Sequence, residues 1–109
     1  MTTADRKSFW AWCMESEEPT DAERTEFARH LSERFGASVT AKPVPKVEDA
    51  ELRAPRIQPP DSVSEWCSTS TYDRASCTYG AHFTERVRAF NLDFPNPPDV
   101  VAHPRTEGE

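Results

Sequence analysis

With 109 residues, the chain has room for one small domain at most. Seven Val, six Phe, three Leu and one Ile make up about 16% of it, below the roughly 20% at which self-sufficient folding becomes doubtful. Nineteen acids against thirteen bases give a net charge of −6, which leaves no basic stripe of the kind that displaces counterions from nucleic-acid phosphates.

The opening segment holds an aromatic cluster, Phe9-Trp10-Ala11-Trp12. Three large rings within four residues cannot all face one side of a helix or a strand. No apolar run approaches the roughly 18 residues of a membrane span. Residues 1–12 carry Asp5, Arg6 and Lys7 in place of a secretory signal's apolar stretch. The expectation is a cytoplasmic polypeptide with no membrane span and no nucleic-acid partner.

Next comes the strongest local signal. Thr20 can cap a helix and Glu23 stands three residues on, as in a capping box, while Gly36 supplies a left-handed stop. Phe27, Leu31 and Phe35 recur every four residues, so the spacing predicts a helix of about 15 residues with a narrow apolar stripe that needs a covering surface. His30, four residues after Glu26, reads as half of an exposed pair.

Five prolines, at 43, 45, 55, 59 and 60, exclude a continuous helix or central strand over 42–60. That stretch reads as an extended arm or linker, with Val44, Val47, Leu52 and Ile57 as possible anchors. Asp61 to Cys67 reads as a short helical turn capped by Asp61, and Ser68 to Thr71 as loop. Asp73-Arg74 reads as a local ion pair or cap. Phe83, Val87 and Phe90 predict another helix over 81–90, with Glu85, Arg86 and Arg88 outside, ended by Asn91 to Pro98. A strand starts at Asp99-Val100-Val101-Ala102 and finds no convincing partner strand in the chain, which implies a missing sheet. The fold class expected is therefore an α+β fragment: mainly helical, with a Pro-rich extended arm and one C-terminal strand, and not a complete domain. Its parts are an aromatic opening and capped helix (1–41), the arm (42–60), short helices and loop (61–98) and the strand region (99–109).

Chemistry is scarce in these residues. Glycines stand only at 36, 80 and 108, so neither a P-loop nor a dinucleotide fingerprint can be built. Cys13, Cys67 and Cys77 are odd in number and include no Cys-x-x-Cys pair, which reads as free thiols. Cys67, Cys77, His82 and His103 are the right donor types for zinc, although their spacing matches no compact knuckle. His82 and His103 have no nucleophile at a spacing that would make either a catalytic base. No residue is assigned a catalytic, cofactor-binding or metal-binding role.

A resemblance rests on a longer series of residues: Tyr72-Asp73-Arg74, Cys77-Thr78-Tyr79-Gly80, Val87-Arg88-Ala89-Phe90, Asp93-Phe94-Pro95-Asn96-Pro97-Pro98-Asp99-Val100-Val101-Ala102 and Pro104-Arg105-Thr106-Glu107. In this order the series resembles the N-terminal region of bacterial FAD-linked oxidases of the vanillyl-alcohol oxidase and p-cresol methylhydroxylase type, similar to alkyldihydroxyacetonephosphate synthase. Trp10-Ala11-Trp12 and Pro55-Arg56-Ile57 fit the same pattern. Cys13 and Cys77 depart from it, standing where relatives tend to have Gly and His. The resemblance implies that the Asp99 to Ala102 strand opens an FAD-binding domain, and that FAD is the cofactor of the parent family and not of this chain alone. It implies a partner in the flavin domain of the same or a separately encoded chain, and no activity from this polypeptide by itself. The other reading is a stand-alone interaction module that docks on a separately encoded partner, through β-augmentation by the strand or through the aromatic opening.

Overall fold

The computed structural model describes residues 4–109, and they separate into two units, Met1–Val44 and Pro45–Glu109. Among the described residues there are three α-helices and one short strand pair: α1 (Asp21–Phe35), β1 (Cys67–Ser68), α2 (Thr71–Ser76), α3 (Phe83–Phe90) and β2 (Val101–Ala102). None of the helices is long and apolar enough to cross a membrane.

In the first unit the aromatic segment is the tip of a hairpin-like turn. Lys7 bridges Met14 in antiparallel fashion, with Ser8 N–H donating to Cys13 O at 2.9 Å and Glu15 N–H to Arg6 O at 2.8 Å. Inside the turn the buried Ser8 hydroxyl accepts from the amides of Trp10 (3.3 Å) and Ala11 (3.0 Å). Serine suits this place because its short side chain satisfies donors that the turn leaves without a ladder partner. The rings diverge, as the sequence requires: Phe9 is buried, Trp10 is half-buried and Trp12 is 61% exposed.

Helix α1 starts and stops where its sequence signals it. Thr20 Oγ1 accepts from Glu23 N–H at 3.1 Å, and Gly36 takes φ 62°, ψ 26°, a conformation costly for residues with a Cβ. The capping box is only half formed, because Glu23 Oε1 accepts from the Thr20 hydroxyl and not from its backbone. Thr20→Ala is expected to cost about 1 kcal/mol of helix stability, seen as a lower urea midpoint in far-UV circular dichroism. The stripe departs from expectation. Phe27 and Phe35 are 61% and 67% exposed, and the buried residue of α1 is Ala28. A small residue on the covered side lets the chain approach the helix backbone closely, which leaves the large rings outside. The exposed Glu26 and His30 interact by charge, but the bonded partner of Glu26 is Arg29, which ties it to Glu33 across one helix face.

The second unit begins within the Pro-rich arm, at Pro45, and the arm contains one turn of 3₁₀ helix, Val47–Asp49, and no longer regular element. Val47 is its deepest anchor at 2% exposure, whereas Ile57 remains 62% exposed. A second 3₁₀ turn, Ser64–Trp66, leads directly into β1. Asp61 supports it through its carbonyl, accepting from the Ser64 hydroxyl, and not as a side-chain cap. The expected loop over Ser68 to Thr71 is instead the end of β1 and the start of α2. Ser70 caps α2 by accepting from Asp73 N–H at 3.1 Å.

The C-terminal strand is not alone. β2 pairs antiparallel with β1 in the register Cys67↔Ala102 and Ser68↔Val101, and the ladder is extended by His103 N–H donating to Trp66 O at 2.7 Å. The lone-strand expectation fails because β1 is two residues long, too short to show alternation in the sequence.

α3 ends in a Schellman motif, with Asp93 N–H bonded to Arg88 O and Leu92 N–H to Ala89 O, both at 2.9 Å. Leu92 occupies the left-handed place at φ 55°, a strained position for a side chain with a Cβ. The face of α3 departs in part from expectation: Phe83 and Val87 are 68% and 45% exposed and Ala89 is buried, while Phe90 is half-buried and Arg88 exposed as expected. The core of this unit is small, consisting of Val47, Ala75, Ala89, Phe94, Pro97 and Val101.

Candidate functional site

The densest polar arrangement lies in the second unit, and its origin is the proline content. Pro97 and Pro98 cannot donate to a ladder, and in an extended segment their carbonyls are left without helix or sheet partners. Pro97 is completely buried, so its carbonyl must be satisfied from a side chain. Arginine can do this at several points at once because its guanidinium holds five donors in a fixed fork.

Arg74, on α2, is 4% exposed. Its Nε donates to Pro98 O at 2.8 Å and its Nη2 to Arg53 O at 2.7 Å. Arg53, on the arm, in turn donates from Nη2 to Pro97 O at 2.7 Å and from Nη1 to Asp99 Oδ1 at 2.5 Å. Arg56 closes the cluster on Asp99 through its backbone N–H (3.0 Å) and its Nη2 (3.0 Å). The reading of Asp73-Arg74 as a local ion pair is thus corrected, since Arg74 turns inward to carbonyls. Asp73 stays at the start of α2, bonded to the Ser70 hydroxyl at 3.0 Å, with His103 Nε2 at 3.4 Å.

Charge follows from this geometry. The side chain and amide of Arg56, then Arg53, hold the Asp99 carboxyl well below the usual carboxylate range. For Asp73, partial burial pulls upward, but hydrogen bonds from Ser68 and Ser70 and the charge of His103 outweigh it, and the carboxyl lies below its ordinary value. The bonds of the arginine cluster run between parts of the chain itself. It joins the arm, α2 and the segment before β2.

The four zinc-type donors do not converge. Among the described residues no three His, Cys, Asp or Glu side chains are grouped as a metal ion would need. Cys67 pairs with Ala102, one residue before His103, so the Cys67 and His103 side chains leave opposite faces of the strand pair. Cys77 sits at the exposed end of α2, and His82 precedes α3, with its Nδ1 3.3 Å from Thr84 Oγ1.

What remains for function is surface. In the second unit Ile57, Phe83 and Val87 are exposed. In the first, a groove of about 550 Å³ runs beside α1, with Trp10, Pro19, Phe27, Leu31 and Val39 among its walls. Exposed apolar residues standing singly are ordinary on a protein surface. Comparison of the chain with known protein families, with curated proteins and with solved structures finds no match.

Proposed function

We propose that the chain is the N-terminal portion of an FAD-dependent oxidoreductase resembling alkyldihydroxyacetonephosphate synthase, a piece that lies against the flavin domain and has no activity alone. The observation that supports this reading is the role of the residues on which the resemblance rests. Asp73-Arg74 and Pro97-Pro98-Asp99 meet in the arginine cluster, so the resemblance falls on residues that hold a particular shape. In that shape β2 would open the FAD-binding domain, while Phe83, Val87 and Ile57 would face it. The flavin supplies the redox chemistry in such enzymes, and the protein binds and orients it. With glycine at only three positions, this stretch has no loop to cradle the pyrophosphate.

The test is complementation. The full chain is mixed with an FAD-binding domain of this oxidase type prepared without its own N-terminal segment. The expected result is a one-to-one complex that co-elutes with flavin absorbance and raises the flavin domain's Tm, and Phe83→Asp should abolish it. If the chain leaves that domain's elution and Tm unchanged, the reading fails. Capture of proteins without flavin would favour the interaction-module reading, for which the free outer edges of the β1–β2 pair provide a docking place.

A further inference from the structure

We infer that the exposed face of α1 is a contact between two copies of this chain, packed antiparallel about a two-fold axis. The inference rests on the first unit alone and is independent of the proposed oxidoreductase role. Glu23, Phe27, His30 and Arg34 are all exposed. At about 3.6 residues per turn they fall within an arc of about 60° on one side of the helix.

Their spacing of four, three and four residues reads the same in both directions. A two-fold axis between Phe27 and His30 therefore carries the stripe onto itself. It sets Glu23 level with the second copy's Arg34, and Phe27 level with the second copy's His30. Each end then meets its opposite charge, and ring meets ring at the centre. A parallel pairing in register would instead set Glu23 against Glu23 and Arg34 against Arg34.

Two further features fit this arrangement. Arg34 has no ion-pair partner of its own among the described residues, whereas Arg29, on another face, is fully engaged with Glu26 and Glu33. Phe27 stands 61% exposed as a ridge between two hollows, the one beside Leu31 and a second lined by Ala22, Glu26 and His30. A ridge flanked by hollows is the shape that interdigitates with a copy of itself. The helix is about 22 Å long, so one stripe covers less than the roughly 1,200 Å² of a standard interface. The dimer is accordingly weak, with Kd on the order of 100 µM.

Sedimentation equilibrium of the full chain under reducing conditions, from about 20 to about 500 µM to bracket that Kd, is expected to show a monomer–dimer equilibrium. Arg34→Glu places like charges opposite one another and should raise Kd by about tenfold or more. Because Arg34 also stands in the last turn of α1, where a carboxylate opposes the helix dipole, far-UV circular dichroism is recorded alongside. Arg34→Gln, which removes the charge without reversing it, should weaken the dimer in the same direction. A monomer throughout the range, or a dimer indifferent to Arg34→Glu, overturns the inference. Arg34→Lys gives a second, geometric test that leaves the helix intact. Carbodiimide treatment of mixed isotopically light and heavy copies should yield a light–heavy peptide joined between the Glu23 carboxyl and the amine at position 34. If that joined peptide is absent, the antiparallel pairing is wrong.

Discussion

Arg74→Ala is expected to cost the second unit about 3–4 kcal/mol, the largest loss of any single substitution here. The guanidinium is buried and donates to two carbonyls, Pro98 O and Arg53 O. Hydrogen bonds from a charged donor contribute about 1.5–3 kcal/mol each, and truncation also leaves both carbonyls without a donor and opens a cavity. Relief of a buried cation offsets part of this, which brings the net loss to the stated range. Arg74→Lys should recover less than half of it, because one ammonium on a flexible stem cannot reproduce a two-point fork. Arg74→Met fills the volume without donating and should lie close to alanine; if it matches the wild type, the hydrogen bonds contribute little and packing alone holds α2. Urea denaturation followed by Trp66 fluorescence, in a background carrying Trp10→Phe and Trp12→Phe, measures the cost. The amide of His103, bonded to Trp66 O across the strand pair, reports by hydrogen exchange whether the ladder goes with the cluster.

The parts of this fold legible in the sequence are those governed by neighbouring residues. Thr20, Glu23 and Gly36 mark α1 at both ends because caps act over three or four residues. The prolines of the arm forbid long elements for an equally local reason. α2 was within reach as well: Ser70 and Asp73 form the Ser-x-x-acid signature of a helix start, obscured by a run of small polar residues that also suits a loop. β1 was not within reach, since Cys67 and Ser68 carry no periodicity and pair with β2 only through a contact across more than thirty intervening residues.

The faces of the helices depart from expectation for a different reason. Large apolar side chains are expected inside, but with so few available the first unit closes over Ala28 and the second over Ala75 and Ala89. Small residues let backbones approach, and the rings are displaced outward. The arginine cluster was hidden by the same kind of default. An arginine in a polar segment reads as solvated, and nothing adjacent to Arg74 shows that it faces buried proline carbonyls at positions 97 and 98. The link is recoverable only as a question of supply: extended prolines need donors, and the donors must come from somewhere in the chain.

Acid should loosen the second unit through Asp99. Its side chain is 13% exposed and accepts from Arg53 and Arg56, and these partners hold its folded-state pKa below the unfolded value. A carboxyl depressed in this way stabilises the fold fully above the unfolded pKa, about 4. That contribution is lost as the pH falls toward the lower folded value, where both states become protonated. Asp99→Asn should therefore be clearly less stable than the wild type at pH 7, with the two urea midpoints converging below about pH 4. A gap that stays constant down to the acid limit would mean that the asparagine is destabilising through shape and not through charge. The two arginines separate in the same measurement. Arg56 is 71% exposed against 35% for Arg53, so added salt screens the Arg56 side chain first. Arg53 also satisfies the buried carbonyl of Pro97, a bond that neither salt nor acid removes. Arg53→Met is thus expected to lower the midpoint more than Arg56→Met at every pH, and the difference should widen in high salt.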